Sequence, residues 1–120
     1  MTGAVPQTRD MAWLRRNTPE GAHCVATDIT SGLPMIAIMG PKSRALLEKL
    51  SGADLSNAAF PFGTSKDIEI GYARVRASRI TYVGELGWEL YIPTEFAAHV
   101  FETLMAAGPE FGLTPAGMHT

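Results

Sequence analysis

Cysteine, basic clusters and long apolar runs are all scarce in this chain of 120 residues. Cys24 is the only cysteine, so an intrachain disulfide and a cysteine-based metal site are excluded, and a reducing, cytoplasmic compartment is expected. The formal net charge is −2 with acids and bases interspersed, which argues against binding to nucleic acid or to a membrane surface. No apolar run approaches the roughly 20 residues of a membrane span, so a soluble chain is expected.

Several signatures of enzyme chemistry are missing as well. No Gly-x-Gly-x-x-Gly occurs, so a dinucleotide site is not expected, and no Gly-x-Ser-x-Gly elbow marks a serine nucleophile. His23, His99 and His119 are scattered and lack the spacing of metal ligands. We therefore assign no catalytic residue and no metal site.

The composition is that of a folded chain, because 46% of the residues are hydrophobic and only 18% are charged. The length fits one domain or part of one. Residues 1–22 are polar and hold a short helical segment from Asp10 to Arg16, whereas residues 23–120 carry the domain. Both ends of the sequence look truncated, so we expect a fragment of a longer protein.

The first half of the domain predicts two strands and a helix. Val25–Ile29 is a short strand candidate, and Cys24 beside it is expected to pack in the core. Met35–Met39 is apolar on both faces, which is typical of a central strand. A helix begins at Gly40-Pro41, where the missing proline N–H costs nothing. Its apolar stripe consists of Leu46, Leu47 and Leu50.

The second half predicts two strands and a helix. Ile68–Tyr82 has the pattern of one long strand, but its apolar parity switches near Ser78-Arg79, through a bulge or a change of environment. Leu86–Ile92 is the next strand, and a helix follows Thr94. The order is β-α-β-β-α, a ferredoxin-like α+β unit with an antiparallel sheet, lacking its last strand.

A glycine-rich turn before the Leu86–Ile92 strand carries the chemistry. Gly84 and Gly87 bracket Glu85, and we expect them to allow positive φ and the close approach of a flat ligand. A carboxylate held there can accept two parallel N–H bonds from an amidine-like edge. Tyr82 supplies aromatic surface nearby, whereas Trp88 shares the apolar face of the strand and is expected in the core.

The run Tyr82-Val-Gly-Glu-Leu-Gly-Trp-Glu-Leu90 resembles the signature of the folate-binding aminomethyltransferase (glycine cleavage T-protein-like) family. It is most similar to the form found in the C-terminal module of dimethylglycine and sarcosine dehydrogenases. Further matches follow the family's order over most of the chain: Asp28-Ile-Thr30, Gly40-Pro-Lys-Ser-Arg-Ala-Leu-Leu47, Asp54-Leu-Ser-Asn57 and Phe60-Pro-Phe62.

The resemblance implies a partial tetrahydrofolate-binding module. Glu85 would hold the pterin ring, with Tyr82 and Gly84 beside it, and FAD would belong to a part of the parent protein that this chain lacks. In the family an amine is demethylated and its one-carbon unit passes to tetrahydrofolate. This chain alone is not expected to oxidise an amine.

Other interpretations stay open from the sequence. Glu85 can be a solvated turn residue, and Tyr82 can simply cover the turn. Arg74, Arg76 and Arg79 can form an exposed strand face or meet the carboxylates of a folate tail. The chain can also be a non-catalytic interaction module that forms a homodimer through an open sheet edge. A third alternative is a fragment of a flavin-independent, glycine-cleavage-type aminomethyltransferase.

Overall fold

The computed structural model describes residue 3 and residues 5–117, so His119 lies outside the described residues. Contacts within the chain divide it into two units, Met1–Ser31 and Gly32–Thr120. The first unit holds helix α1, Gln7–Asn17, which confirms the short helix predicted around Asp10–Arg16.

The strand predicted over Val25–Ile29 is wrong, because this segment has no regular structure. The Asp28 carboxylate accepts hydrogen bonds from the Thr30 hydroxyl (2.6 Å) and the Thr30 N–H (3.0 Å). Such side-chain bonds to the local backbone compete with a strand ladder. Cys24 is exposed rather than packed in the core, since no sheet forms here to bury it.

The second unit is built on a four-stranded antiparallel sheet, so the predicted α+β class is confirmed. Its strands are β1 (Met35–Met39), β2 (Ser65–Ile70), β3 (Ala73–Ser78) and β4 (Gly87–Tyr91). They lie in the order β1-β4-β3-β2, and every neighbouring pair is antiparallel. No strand follows the last helix among the described residues.

Strand β1 is an edge strand rather than the predicted central one. Within the described part of the chain only β4 pairs with it, with Met35 opposite Tyr91 and Met39 opposite Gly87. Ile38 is buried on one face, whereas Met35 on the other face is 45% exposed. This run of five apolar residues therefore forms an edge strand. The apolar pattern alone did not distinguish a central strand from an edge strand.

The single long strand predicted over Ile68–Tyr82 is a β2–β3 hairpin. Gly71 (φ +60°) stands first in the two-residue turn between Ile70 and Ala73, which suits the tight turns that join antiparallel strands. Strand β3 then ends at Ser78. The alternation of apolar residues between the two faces changes near Ser78-Arg79 because the strand stops there.

Two helices complete the core. Helix α2 (Ser43–Leu50) begins where the Gly-Pro signal predicted, and helix α3 (Ala97–Ala107) follows a 3-10 turn at Thr94–Phe96. A short 3-10 helix, Gly108–Phe111, ends that segment. No helix in the described part of the chain is both long and apolar enough to cross a membrane. The largest buried side chains of the core are Leu46, Leu47, Leu55, Phe60, Ile70, Val75, Trp88, Leu90, Ile92, Val100 and Leu104.

Candidate functional site

The loop that carries Glu85 joins β3 to β4 and has no regular secondary structure between Ile80 and Leu86. Gly84 adopts φ +83°, which confirms the expected positive φ at this position. Its N–H donates to Thr81 Oγ1 at 3.0 Å and closes the turn. The Glu85 side chain is consequently exposed at the end of a short constrained turn.

The end of this loop is tied to the start of helix α2. The Leu86 carbonyl accepts the Gly40 N–H at 2.7 Å and the Ser43 Oγ–H at 3.1 Å. Ser43 is the first residue of α2, and its bond across the fold to Leu86 was not predicted. Since Leu86 follows Glu85 directly, both bonds restrain the backbone that presents the carboxylate.

A second loop, Phe60–Thr64, faces the first and is held by Arg79. The Arg79 N–H donates to the Thr64 carbonyl (2.9 Å), and the Arg79 carbonyl accepts the Gly63 N–H (2.8 Å). The guanidinium donates through Nη1 to the Phe60 carbonyl at 2.7 Å. Arg79 thus joins the two loops through backbone and side chain together.

A cavity of about 270 Å³ lies between these loops, and we call it the Glu85 cavity. Its wall combines a carboxylate, a guanidinium, an aromatic ring and exposed backbone. Among the described residues, neither Glu85 nor Arg79 forms an ion pair. The lining residues are Phe62, Arg79, Thr81, Gly84, Glu85, Leu86 and Gly87.

Trp88 lies beneath this site and is fully buried, as predicted for a core residue. The Phe60 ring meets it edge-on at 6.2 Å, and the guanidinium carbons of Arg79 and Arg44 lie 5.8 and 5.9 Å from its ring centroid. Both arginines therefore make cation–π contacts with one indole. The Nε atoms of both arginines and the indole Nε1 are buried and have no acceptor among the described residues.

The structure places two of the three predicted site residues at the cavity. Glu85 and Gly84 line it, whereas Tyr82 is 92% exposed and is not part of its wall. Gly87, expected to take a positive φ, does not. It is the first residue of β4, and a Cβ there would lie 2.7 Å from the Ile38 carbonyl, so the missing side chain serves sheet pairing.

Four lining residues were not assigned to the site from the sequence: Phe62, Thr81, Leu86 and Arg79, the last considered only for an exposed strand face or a folate tail. Of the two aromatic residues in Phe60-Pro-Phe62, Phe60 is buried in the core, whereas Phe62 is 66% exposed. The available signal was the switch of apolar parity at Ser78-Arg79, which marks where the chain leaves the sheet.

The second glutamate of the motif has a different environment. Glu89 is buried on β4 and accepts the Tyr91 hydroxyl at 2.5 Å. Burial, and then the hydrogen bond to Glu89, raises the pKa of the Tyr91 hydroxyl. The phenol therefore stays protonated and keeps donating, which makes this pair a structural one.

A larger cavity of about 500 Å³ lies at the start of α2, between Ile38–Ser43 and the segment Phe111–Thr114. Lys42 is the only charged residue of its wall, so it lacks the facing donor and acceptor of the Glu85 cavity. Within the described residues no group of three potential ligands from His, Cys, Asp and Glu can hold a metal ion. We therefore take the Glu85 cavity as the candidate site.

The fold is that of a small α+β domain with a candidate ligand cavity. The GCVT N-terminal domain profile matches residues 1–120, and the chain belongs to that family. It is 44% identical to human mitochondrial sarcosine dehydrogenase over 98% of this chain and 13% of that protein. It is 37% identical to rat mitochondrial dimethylglycine dehydrogenase over 99% of this chain and 14% of that protein. The chain thus spans about one seventh of the length of these relatives.

The fold also matches a solved structure. The heterotetrameric sarcosine oxidase from Corynebacterium sp. U-96, in complex with pyrrole 2-carboxylate, superposes with a TM-score of 0.66. The match covers 81% of this chain and 49% of that chain at 21% identity. At that identity the likeness concerns the fold alone.

Proposed function

We propose that this chain is the tetrahydrofolate-binding part of a module that captures the one-carbon unit of a demethylated amine. The observation that carries the proposal is the Glu85 cavity, whose carboxylate and guanidinium face one space without pairing with each other. The names of the relatives favour a parent protein like dimethylglycine or sarcosine dehydrogenase over a flavin-independent, glycine-cleavage-type aminomethyltransferase. In this proposal FAD is held by another part of the parent protein.

The residues of the cavity fit a reduced pterin. The pyrimidine edge of that ring presents two neighbouring N–H donors, which a carboxylate such as Glu85 accepts in parallel. Phe62 offers an aromatic wall for the ring. When bound, tetrahydrofolate would supply the nitrogen that accepts the one-carbon unit. The role of Glu85 is then to orient the ring, and the gain in rate is one of proximity. Tyr82 would contact the ligand from outside the cavity.

Calorimetric titration with 5-formyltetrahydrofolate tests the proposal. Glu85→Gln keeps the shape of the side chain but replaces the charged acceptor, and a charge-assisted pair contributes roughly 1.5–3 kcal/mol. We expect saturable binding by the wild-type chain and affinity about 10- to 150-fold weaker in the variant.

Glu102→Gln is the matched control, because Glu102 is an exposed glutamate on α3 and does not line the cavity. It should bind like the wild type. An equal loss in both variants, or no binding by any of the three proteins, would refute a folate site built on Glu85.

A second proposal is an interaction through the open edge of β1, and a specific observation favours it. The Pro34 carbonyl accepts the Ile92 N–H and the Gly40 N–H donates to the Leu86 carbonyl, on either side of β4. In this register the backbone groups of Met35, Ala37 and Met39 point away from the sheet. Strand β1 contains no charge, whereas the opposite edge strand, β2, carries Lys66, Asp67 and Glu69. Charged side chains on an edge strand disfavour pairing with a further strand, and of the two edge strands β1 and β2 only β2 carries them.

We propose a second copy of this chain as the occupant, because the β1 edge is self-complementary. Antiparallel pairing about a two-fold axis at Ala37 sets Met35 of each copy opposite Met39 of the other. All the outward backbone groups of the three residues are then paired.

Sedimentation equilibrium over a range of protein concentrations tests this dimer. Met35→Lys places a charge on the edge and should give a monomer at concentrations where the wild type associates. Phe101→Lys is the control, since Phe101 is 50% exposed on α3, away from the edge, and Met35 is 45% exposed. If the wild type stays monomeric, or if both variants associate like the wild type, the edge dimer is wrong.

A further inference from the structure

Building on the proposed function, we infer that Arg79 selects the ring that the Glu85 cavity accepts, by donating a hydrogen bond to a ring carbonyl beside the edge that Glu85 binds. Arg79 is a specificity-determining residue in this inference. Its role is separate from that of Arg74 and Arg76, which are bound to Asp67 on the exposed face of the β2–β3 hairpin.

The position of the Arg79 guanidinium is fixed on two sides. Nη1 donates to the Phe60 carbonyl, and the Trp88 ring lies 5.8 Å from the guanidinium carbon. A guanidinium has five N–H donors, and Nη1 supplies the only side-chain hydrogen bond that Arg79 makes with the described residues. Arg79 also has no carboxylate partner among the described residues. Its positive charge and its remaining N–H donors are therefore left for a ligand in the cavity that it lines.

The arrangement defines a class of ligand. Glu85 accepts and Arg79 donates, but no ion pair joins them across the cavity. A ligand that satisfies both must present an acceptor next to donors on one rigid edge. A 2-amino-4-oxo pyrimidine ring has this sequence, with a carbonyl, a ring N–H and an amino group side by side. A 4-amino ring places a donor where the carbonyl stood and carries no N–H at the neighbouring ring nitrogen. It therefore removes both the acceptor for Arg79 and one of the two donors for Glu85.

The size of the cavity points to the ring rather than to the tail of a folate as the partner of Arg79. About 270 Å³ lies below the roughly 300–1,000 Å³ of pockets that enclose whole drug-sized ligands. Since Glu85 and Arg79 share that small space, a group bound to Glu85 brings its own neighbouring atoms to Arg79. The glutamate carboxylates of the tail would lie outside.

The test compares 5-formyltetrahydrofolate with its 4-amino-4-deoxy analogue by calorimetry on the wild-type chain. This comparison needs no variant, so it holds even if a substitution at Arg79 disturbs folding. We expect the 4-oxo ligand to bind at least about tenfold more tightly, because the 4-amino ligand loses the hydrogen bond to Arg79 and one of those to Glu85. The part of this preference that disappears in an Arg79 variant belongs to Arg79.

Arg79→Met then separates recognition from structural support. A structural role would weaken both ligands equally and leave their affinity ratio unchanged, whereas a recognition role reduces the ratio toward one. Arg74→Met is the control and should keep the wild-type ratio. With 6-methyltetrahydropterin, which lacks the tail, Arg79→Met should lose affinity as it does with the full folate.

The outcomes distinguish this inference from the proposed function. No wild-type binding of 5-formyltetrahydrofolate overturns both. A ratio of affinities that Arg79→Met leaves unchanged overturns the role of Arg79 alone. Equal affinity of the wild type for the 4-oxo and 4-amino ligands overturns the recognition of this ring edge by both Arg79 and Glu85. A loss that appears with the folate but not with the tail-free pterin would assign Arg79 to the tail and overturn the ring interaction.

Discussion

At the scale of single residues, neighbouring positions of one motif differ sharply in environment. Glu85 and Glu89 each precede a leucine, but Glu85 is exposed at a cavity and Glu89 is buried against Tyr91. The resemblance of the motif to the folate-binding family, rather than its spacing alone, indicated Glu85 as the ligand residue. The burial of Glu89 could not be predicted, since it depends on strand β4 lying inside the sheet.

In the β2–β3 hairpin, Gly71 is the residue where adding a side chain should lower the free energy of unfolding most. It has φ +60°, and a Cβ there would overlap the His99 ring, whose Nε2 accepts the Tyr72 N–H. We predict that Gly71→Ala lowers the free energy of unfolding by about 1–3 kcal/mol, the range for a strained backbone position.

Urea denaturation measures this effect, with Gly52→Ala as the control. A Cβ at Gly52 meets nothing within 4 Å and φ is not positive there, so that variant should stay within about 0.5 kcal/mol of the wild type. Equal stability of Gly71→Ala and Gly52→Ala would show that the turn tolerates a side chain.

At the scale of secondary-structure elements, helices with a local sequence signal were predictable, whereas the pairing of the strands was not. Helix α2 lies close to the position predicted by the Gly40-Pro41 start and the apolar stripe, because those signals are local. The hairpin at Gly71-Tyr72 was read as one strand, since a two-residue turn interrupts the apolar pattern too briefly. Whether β1 lies at the centre or the edge depends on which strands pair, and this information is spread over the whole chain.

The β2–β3 hairpin carries a charge cluster on its exposed face. Asp67 Oδ1 accepts from Arg76 Nε at 3.0 Å, and Asp67 Oδ2 accepts from Arg74 Nη2 at 3.1 Å. The hydrogen bond from Arg76 is the main cause that lowers the pKa of Asp67. A lowered folded-state pKa means that this contribution to stability is present above the unfolded value of about 3.9 and is lost as pH falls through the folded value.

We therefore predict that wild type and Asp67→Asn differ in unfolding free energy at pH 6 and converge as pH falls below about 4. The difference should be small, because the pair is exposed to solvent. Urea denaturation at several pH values measures it. In an Arg76→Met background the same substitution should show much less pH dependence, and an undiminished dependence would assign it to another group.

At the scale of the whole molecule, the candidate site arises where three distant segments meet. The β3–β4 loop supplies Glu85, the Phe60–Thr64 loop supplies Phe62, and the start of α2 holds Leu86 in place. The carboxylate and its turn were predictable from the motif. Arg79 was not, because its position over Trp88 depends on the packing of both loops.

Amide NMR spectra of the labelled chain, recorded during titration with 5-formyltetrahydrofolate, test the proposed folate site most directly. We expect saturable shifts at Gly84, Glu85, Leu86 and the Arg79 side chain, while Met35 and Ala37 on the β1 edge change only with protein concentration. Saturable shifts centred instead on the cavity between Ile38–Ser43 and Phe111–Thr114, or no shifts at any ligand concentration, would contradict a folate site at Glu85.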